Sequence, residues 1–282
     1  MHSSSQARMS RATSFFTGTL LAASTAALAS QTSGSGPALV DVLDAFALED
    51  ATVHQLQLID RGPGLFDLTV DVGDRTARIT FHEHSVRSDH YALYEQAEDG
   101  SLIEVPAGPV NTYRGTDAAW PGMDAALSIE EDGFRVFIRG DADEHWWIEP
   151  LDGRVRGATV LDYAVYRGDD IISPEGFCGV TEPAVPVADG DAMPDSDRVV
   201  LSAELVIDAD WEYYQDYGSV TAVENRVNSV INSLNVQYEN QVEIVHSISG
   251  IVVRSNSDDP YSSNSIETRL EQVRDEWNST ST

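Results

Sequence analysis

The chain has 282 residues, enough for two modest domains with cores of their own. It carries 47 acidic residues against 17 basic ones, every basic residue is arginine, and the net charge is −30. Such a surface repels nucleic acid and anionic lipid and suits solubility in salt, so it argues against nucleic-acid partners.

The N-terminus reads as a secretory signal over residues 1–29. Arg8 and Arg11 form a positive start, Phe15 to Leu28 is mostly apolar and small, and Ala27-Leu28-Ala29 fits a small-x-small cleavage pattern. The expectation is a secreted protein cut near Ala29. The competing reading is a retained N-terminal anchor, but the apolar stretch is short and interrupted for a membrane span, and no later segment qualifies. No stable membrane anchor is expected. Gln31 to Pro37 is a Ser/Gly linker.

From about Val53 to Val165 short alternating runs are separated by turn residues, which predicts β-strands. Phe66, Leu68, Val70 and Val72 alternate with polar or small residues, as do Ala77, Ile79 and Phe81. The runs Ala126 to Ile129 and Phe134 to Ile138 are joined by Glu131-Asp132-Gly133, a hairpin signal. A short helix near Leu43 to Leu48 is the one helical pattern in this half. Glu182 to Asp197 carries three prolines, a glycine and four aspartates and reads as a linker between domains.

The pattern then changes. Val199 to Ile207 is strand-like. Val220, Val223, Val227, Val230, Ile231, Leu234 and Tyr238 recur at helical steps, with Ser219 or Thr221 as cap. Val242 to Val253 is a second strand-like run. Ile266, Leu270, Val273 and Trp277 mark a second helix, with Asn264 as cap. Strand, helix, strand, helix opens an α/β domain with parallel neighbours. Two strands alone would leave a sheet edge open and a core half covered, so this part is expected to be incomplete and weakly stable.

Cys178 is the only cysteine. In a secreted chain it can bridge to another molecule, lie idle or ligate a metal. Its setting, Phe177-Cys178-Gly179-Val180-Thr181, resembles the cysteine switch of the reprolysin (adamalysin, ADAM-type) metzincin zinc proteases. Further segments resemble the same precursors in the same order. Thr112-Tyr113-Arg114-Gly115, Ala126 to Ile129, Gly133 to Ile138 and Trp147 to Leu151 are similar to the propeptide. Ala203 to Asp210, the strand ending Val252-Val253-Arg254 and the loop Asp258 to Tyr261 are similar to the start of the catalytic domain.

The resemblance implies a β-rich propeptide domain (38–181), a linker (182–198) and an incomplete α/β metzincin catalytic domain (199–282, strand-helix-strand-helix). It implies zinc as cofactor, with Cys178 as the inhibitory zinc ligand, and it implies protein or peptide substrates. The partner of the propeptide would be the chain's own downstream catalytic domain. Glu204 matches a calcium-binding glutamate of many reprolysins, so calcium stays open beside the plainer reading of a solvent-facing carboxylate. No catalytic residue is expected in the chain, because the motif His-Glu-x-x-His-x-x-Gly-x-x-His is missing.

Other candidates are weaker. His82-Glu83-His84 lacks the i, i+4 histidine spacing of a helical zinc pair and alternates like a strand. Asp141 to His145 lacks an EF-hand pattern and reads as a hairpin tip. Trp120, Trp146 and Trp147 read as β-core or edge aromatics. Two functions remain in view: the secreted zymogen portion of a zinc metalloendopeptidase, or a non-catalytic secreted β-rich module that binds a protein and carries a protease remnant.

Overall fold

Alternation becomes pairing in the long hairpin of β3 (Leu65–Val72) and β4 (Arg75–Glu83). Phe66, Leu68 and Val70 lie opposite Phe81, Ile79 and Ala77, so one face of the ribbon is apolar throughout. The computed structural model describes residues 36–141, 144–173, 200–263 and 265–279. The signal segment 1–29, the linker 182–198, Cys178 and the cap Asn264 lie outside them.

Seven further strands complete an antiparallel sheet with this hairpin: β1 (Thr52–Gln55), β2 (Ile59–Gly62), β7 (Thr112–Thr116), β8 (Asp124–Glu130), β9 (Gly133–Arg139), β10 (His145–Pro150) and β11 (Asp162–Arg167). Their order is β1-β11-β10-β9-β8-β7-β4-β3-β2. One face buries Leu68, Ile79, Phe81, Leu127, Val136, Ile138 and Ile148 in a single core. On the opposite face α1 (Leu39–Phe46) packs with Leu151, Val155 and Tyr166. The helix starts four residues before the periodic stretch at Leu43, and Val42 is its buried residue.

The β8–β9 hairpin follows its Asp-Gly signal with a shift of one residue. Glu130 pairs with Gly133, so the two-residue loop is Glu131-Asp132 and Gly133 begins β9 at φ 135°. A Cβ there would press on the Tyr163 hydroxyl and Pro150, so glycine serves both backbone and packing.

A second sheet holds β12 (Leu201–Ala209) and β13 (Ile244–Val253), parallel neighbours as their sequence order suggests. Between them run α2 (Trp211–Tyr217) and α3 (Val220–Gln241). Ser219 caps α3 by accepting from the Ala222 N–H, and α4 (Ile266–Ser279) follows β13. The sheet differs from the expectation at one edge. Its order is β12-β13-β5-β6, where β5 (Arg87–Gln96) and β6 (Leu102–Val105) come from the middle of the N-terminal strand run. β5 lies parallel to β13, with Gly250, Ile251, Val252 and Val253 opposite Ala92, Leu93, Tyr94 and Glu95. The edge of β13 expected to be open is therefore closed, while β12 has one paired side among the described residues.

Helix α3 lies between the two sheets. Val223, Val227 and Ile231 pack with Leu93, Ile248, Ile251 and Val253 of the smaller sheet. Val236 packs with Ala126 and Phe137 on the outer face of the larger one.

Candidate functional site

From Glu224 to Asn232 the face of α3 turned toward β5, β7 and β8 is polar, and its side chains are placed by the four-residue spacing of Glu224, Asn228 and Asn232. Glu224 is fully buried. Its carboxylate accepts from the Tyr91 hydroxyl at 3.0 Å and from the Gly108 N–H at 2.9 Å, and it pairs with the Arg87 guanidinium at 3.0 Å. Arg87 also donates to the carbonyls of Gly108 and Pro109 and lies over the Tyr91 ring. Burial, reinforced by the charge of Glu224, pushes the Tyr91 phenol far above its ordinary range, so Tyr91 stays a donor. A buried carboxylate is tolerable only with such a set of partners, and all of them come from residues 87–108.

One turn further on, Asn232 is also fully buried. Its Nδ2 donates to the carbonyls of Tyr113 and Leu127, both at 3.1 Å, and its Oδ1 accepts from Arg114 Nε at 3.0 Å. Tyr113 and Leu127 are register partners, so one amide spans β7 and β8. Burial makes the charged form of Arg114 less favourable and lowers its pKa. Asn111 donates to the carbonyls of Ile129 and Asn225 and ties the strand to the helix backbone.

A charged cluster borders this interface. Arg135 reaches Glu130 at 3.0 Å, Asp132 at 2.6 Å and Glu149 at 3.2 Å, while Arg226 of α3 lies 3.8 Å from Glu130. Burial raises the Glu130 pKa although Arg135 and Arg226 oppose it. Burial pushes Asp132 the same way, but its hydrogen bonds to Arg135 and the Arg135 and Arg154 charges outweigh it and lower its pKa. Within the second sheet, Arg254 holds Asp208 through two hydrogen bonds of 2.9 and 2.8 Å, and Tyr261 donates to the same carboxylate at 2.6 Å. This group fastens the loop after β13 to β12.

The candidates from the sequence do not converge. Glu204 is half exposed on β12 with His90 Nε2 at 3.2 Å, which fits a solvent-facing carboxylate. His82 and Glu83 end β4, and burial followed by the Arg114 charge holds His84 below its ordinary pKa. Trp120 is buried and donates to Asp141, and Trp147 packs with Phe137. Arg87 and Asn232 were not singled out, because neither sits in a recognisable motif. Arg114 entered only within the Thr112 to Gly115 resemblance, and Glu224 only through its capping-box spacing from Thr221, whereas the cap is Ser219 and Glu224 is buried against Arg87 and Tyr91.

Residues 202–282 match the family model Reprolysin_5, described as metallopeptidase family M12. The region from β12 through α4 is therefore M12-metallopeptidase-like, and that family generally uses zinc. Among the described residues no three His, Cys, Asp or Glu side chains gather as a metal site. These residues do not fit a zinc centre, and no bond-breaking step is assigned to them. No described helix is long and apolar enough to cross a membrane.

Proposed function

We propose that this chain is the zymogen portion of a secreted zinc metalloendopeptidase, in which the β-rich region 38–181 is a propeptide covering the M12-like region. The observation that carries the reading is the family match over 202–282 together with where β5 lies. Residues from the N-terminal region line the edge of β13 and close the polar side of α3, both of which belong to the matched segment. Cys178 is the proposed inhibitory zinc ligand, the role its sequence resemblance implies, and proteins or peptides are the proposed substrates.

The test is Cys178→Ala in the full-length gene product. Basal peptidase activity should rise before any propeptide cleavage, and a chelator should strip zinc from the variant more readily than from the parent. Unchanged latency together with unchanged zinc retention would reject the switch. The reading frame beyond codon 282 supplies an independent check. An open frame carrying the three-histidine motif supports the protease, and a stop codon favours the protein-binding module.

A further inference from the structure

A cavity of about 580 Å³ opens at the carboxyl ends of the parallel strands β13 and β5, beside the β5–β6 hairpin. Its volume suits a small ligand, and the carboxyl ends of parallel strands are where open α/β sheets hold ligands. Gln96, the last residue of β5, lines it and is 4% exposed. Gln96 Nε2 donates to Asn256 Oδ1 at 3.4 Å and to the Asp258 carbonyl at 3.3 Å, which fixes the orientation of the amide. Its Oε1 is buried and has no hydrogen-bond partner among the described residues. A buried acceptor without a donor costs about 1–3 kcal/mol, so this oxygen gains from any donor brought to it.

The rest of the lining offers acceptors and apolar surface. The side-chain donors Asn256 Nδ2 and Ser255 Oγ are turned to the carbonyls of Ala97 and Gln96. Glu95 and Glu98 line the cavity, and neither has an ion pair among the described residues. Ile103 and Val105 of β6 form an apolar wall, with Ile103 54% exposed, and no arginine lines the cavity. A metal ion does not fit, because no three His, Cys, Asp or Glu side chains gather here and hydrocarbon gives a hard cation nothing to bind. An ammonium fits. It carries three donors on one compact charge, to set against one amide oxygen and two carboxylates, and its alkyl stem suits the wall of Ile103 and Val105. The sequence contains no lysine, so no lysine side chain of this sequence can be the occupant.

We propose that this cavity binds an aliphatic primary amine in its ammonium form. Gln96 Oε1 and the carboxylates of Glu95 and Glu98 accept from the ammonium, and Ile103 and Val105 cover the alkyl stem. The ammonium belongs to a free alkylamine or to a lysine side chain of another molecule. The inference rests on no part of the zymogen reading, and either can fail without the other.

The experiment is calorimetric titration of the full chain with pentylamine, acetyl-lysine amide, methylamine and butylguanidine. Pentylamine should bind saturably and more tightly than butylguanidine. Tighter binding of acetyl-lysine amide than of pentylamine would mark a protein lysine as the source, and the reverse order a free amine. Gln96→Met keeps the volume, removes the acceptor and should weaken pentylamine about tenfold. Glu98→Gln should weaken it about threefold. Glu131→Gln, on the β8–β9 loop, should leave it unchanged. If Gln96→Met yields no folded protein, Ile103→Ser on the exposed wall should shrink the advantage of pentylamine over methylamine. Heats that never saturate, butylguanidine binding at least as tightly, or a Gln96→Met protein that binds like the parent would overturn the proposal. So would an Ile103→Ser protein that keeps the full advantage. Equal losses for Glu98→Gln and Glu131→Gln would also overturn it, since they mark diffuse attraction to an acidic surface.

Discussion

Asn232→Ala removes the amide that joins α3 to the larger sheet. The side chain is fully buried and makes three hydrogen bonds, two to the carbonyls of Tyr113 and Leu127 and one from the Arg114 guanidinium. A neutral bond of this kind contributes about 1 kcal/mol net and one to a charged group about 1.5–3 kcal/mol. Arg114 is itself largely buried and would lose this acceptor. Together these give a destabilisation of about 3.5–5 kcal/mol, or roughly 10–15 °C in Tm for a chain of this size. Thermal unfolding followed by calorimetry measures it. Asn240→Ala is the control, since that amide bonds Asp124 at an exposed position, and it should cost under about 1 kcal/mol. Equal Tm values for the two variants would refute the reasoning that α3 is anchored through its buried amides.

Three further substitutions probe the frame. In Gly115→Ala the added Cβ would fall 2.6 Å from Ile79 Cγ2 and onto the Phe81 ring. Overpacking at that site should cost about 1–3 kcal/mol or more, read from the denaturant midpoint. The Arg135 cluster predicts opposite pH trends for its two carboxylates. Asp132 has a folded pKa below its unfolded value of 3.8, so its stabilisation is present above about pH 4 and is lost as pH falls through the folded value. The deficit of Asp132→Asn should therefore shrink on acidification. Glu130 has a folded pKa above its ordinary 4.5, so its contribution is present below that value and is lost as pH rises through the folded one. The deficit of Glu130→Gln should shrink as pH rises toward neutrality. Denaturation midpoints across the acid range decide both, and parallel pH trends for the two variants would contradict the assignment.

The strands β3 and β4 were legible because each buries one face, and a period of two then shows in the sequence. Helix α3 was legible through Val223, Val227 and Ile231 for the same reason at a longer period. The partner of β5 was not. Arg87 to Gln96 looks like one more strand of the antiparallel run, and nothing local says that it pairs with residues more than 150 positions away. The polar side of α3 was passed over because amides and a glutamate on a helix normally face water. A signal was present in the composition. In a chain with 47 acidic residues, Asn225, Asn228, Asn232 and Asn235 form an unusual run of uncharged amides where an open face would carry acids. Cys178, the most suggestive residue of the sequence, lies outside the described residues, so its role rests on resemblance alone.

Hydrogen exchange on the intact chain tests most directly whether the N-terminal region completes and covers the M12-like sheet. Amides of Ile248 to Val253 bridge β12 and β5 at the centre of the smaller sheet, and the account predicts that they exchange as slowly as those of β8 and β9. Slow exchange of β8 and β9 with rapid exchange along β13 would show that its edge is open and that the proposed cover is not in place.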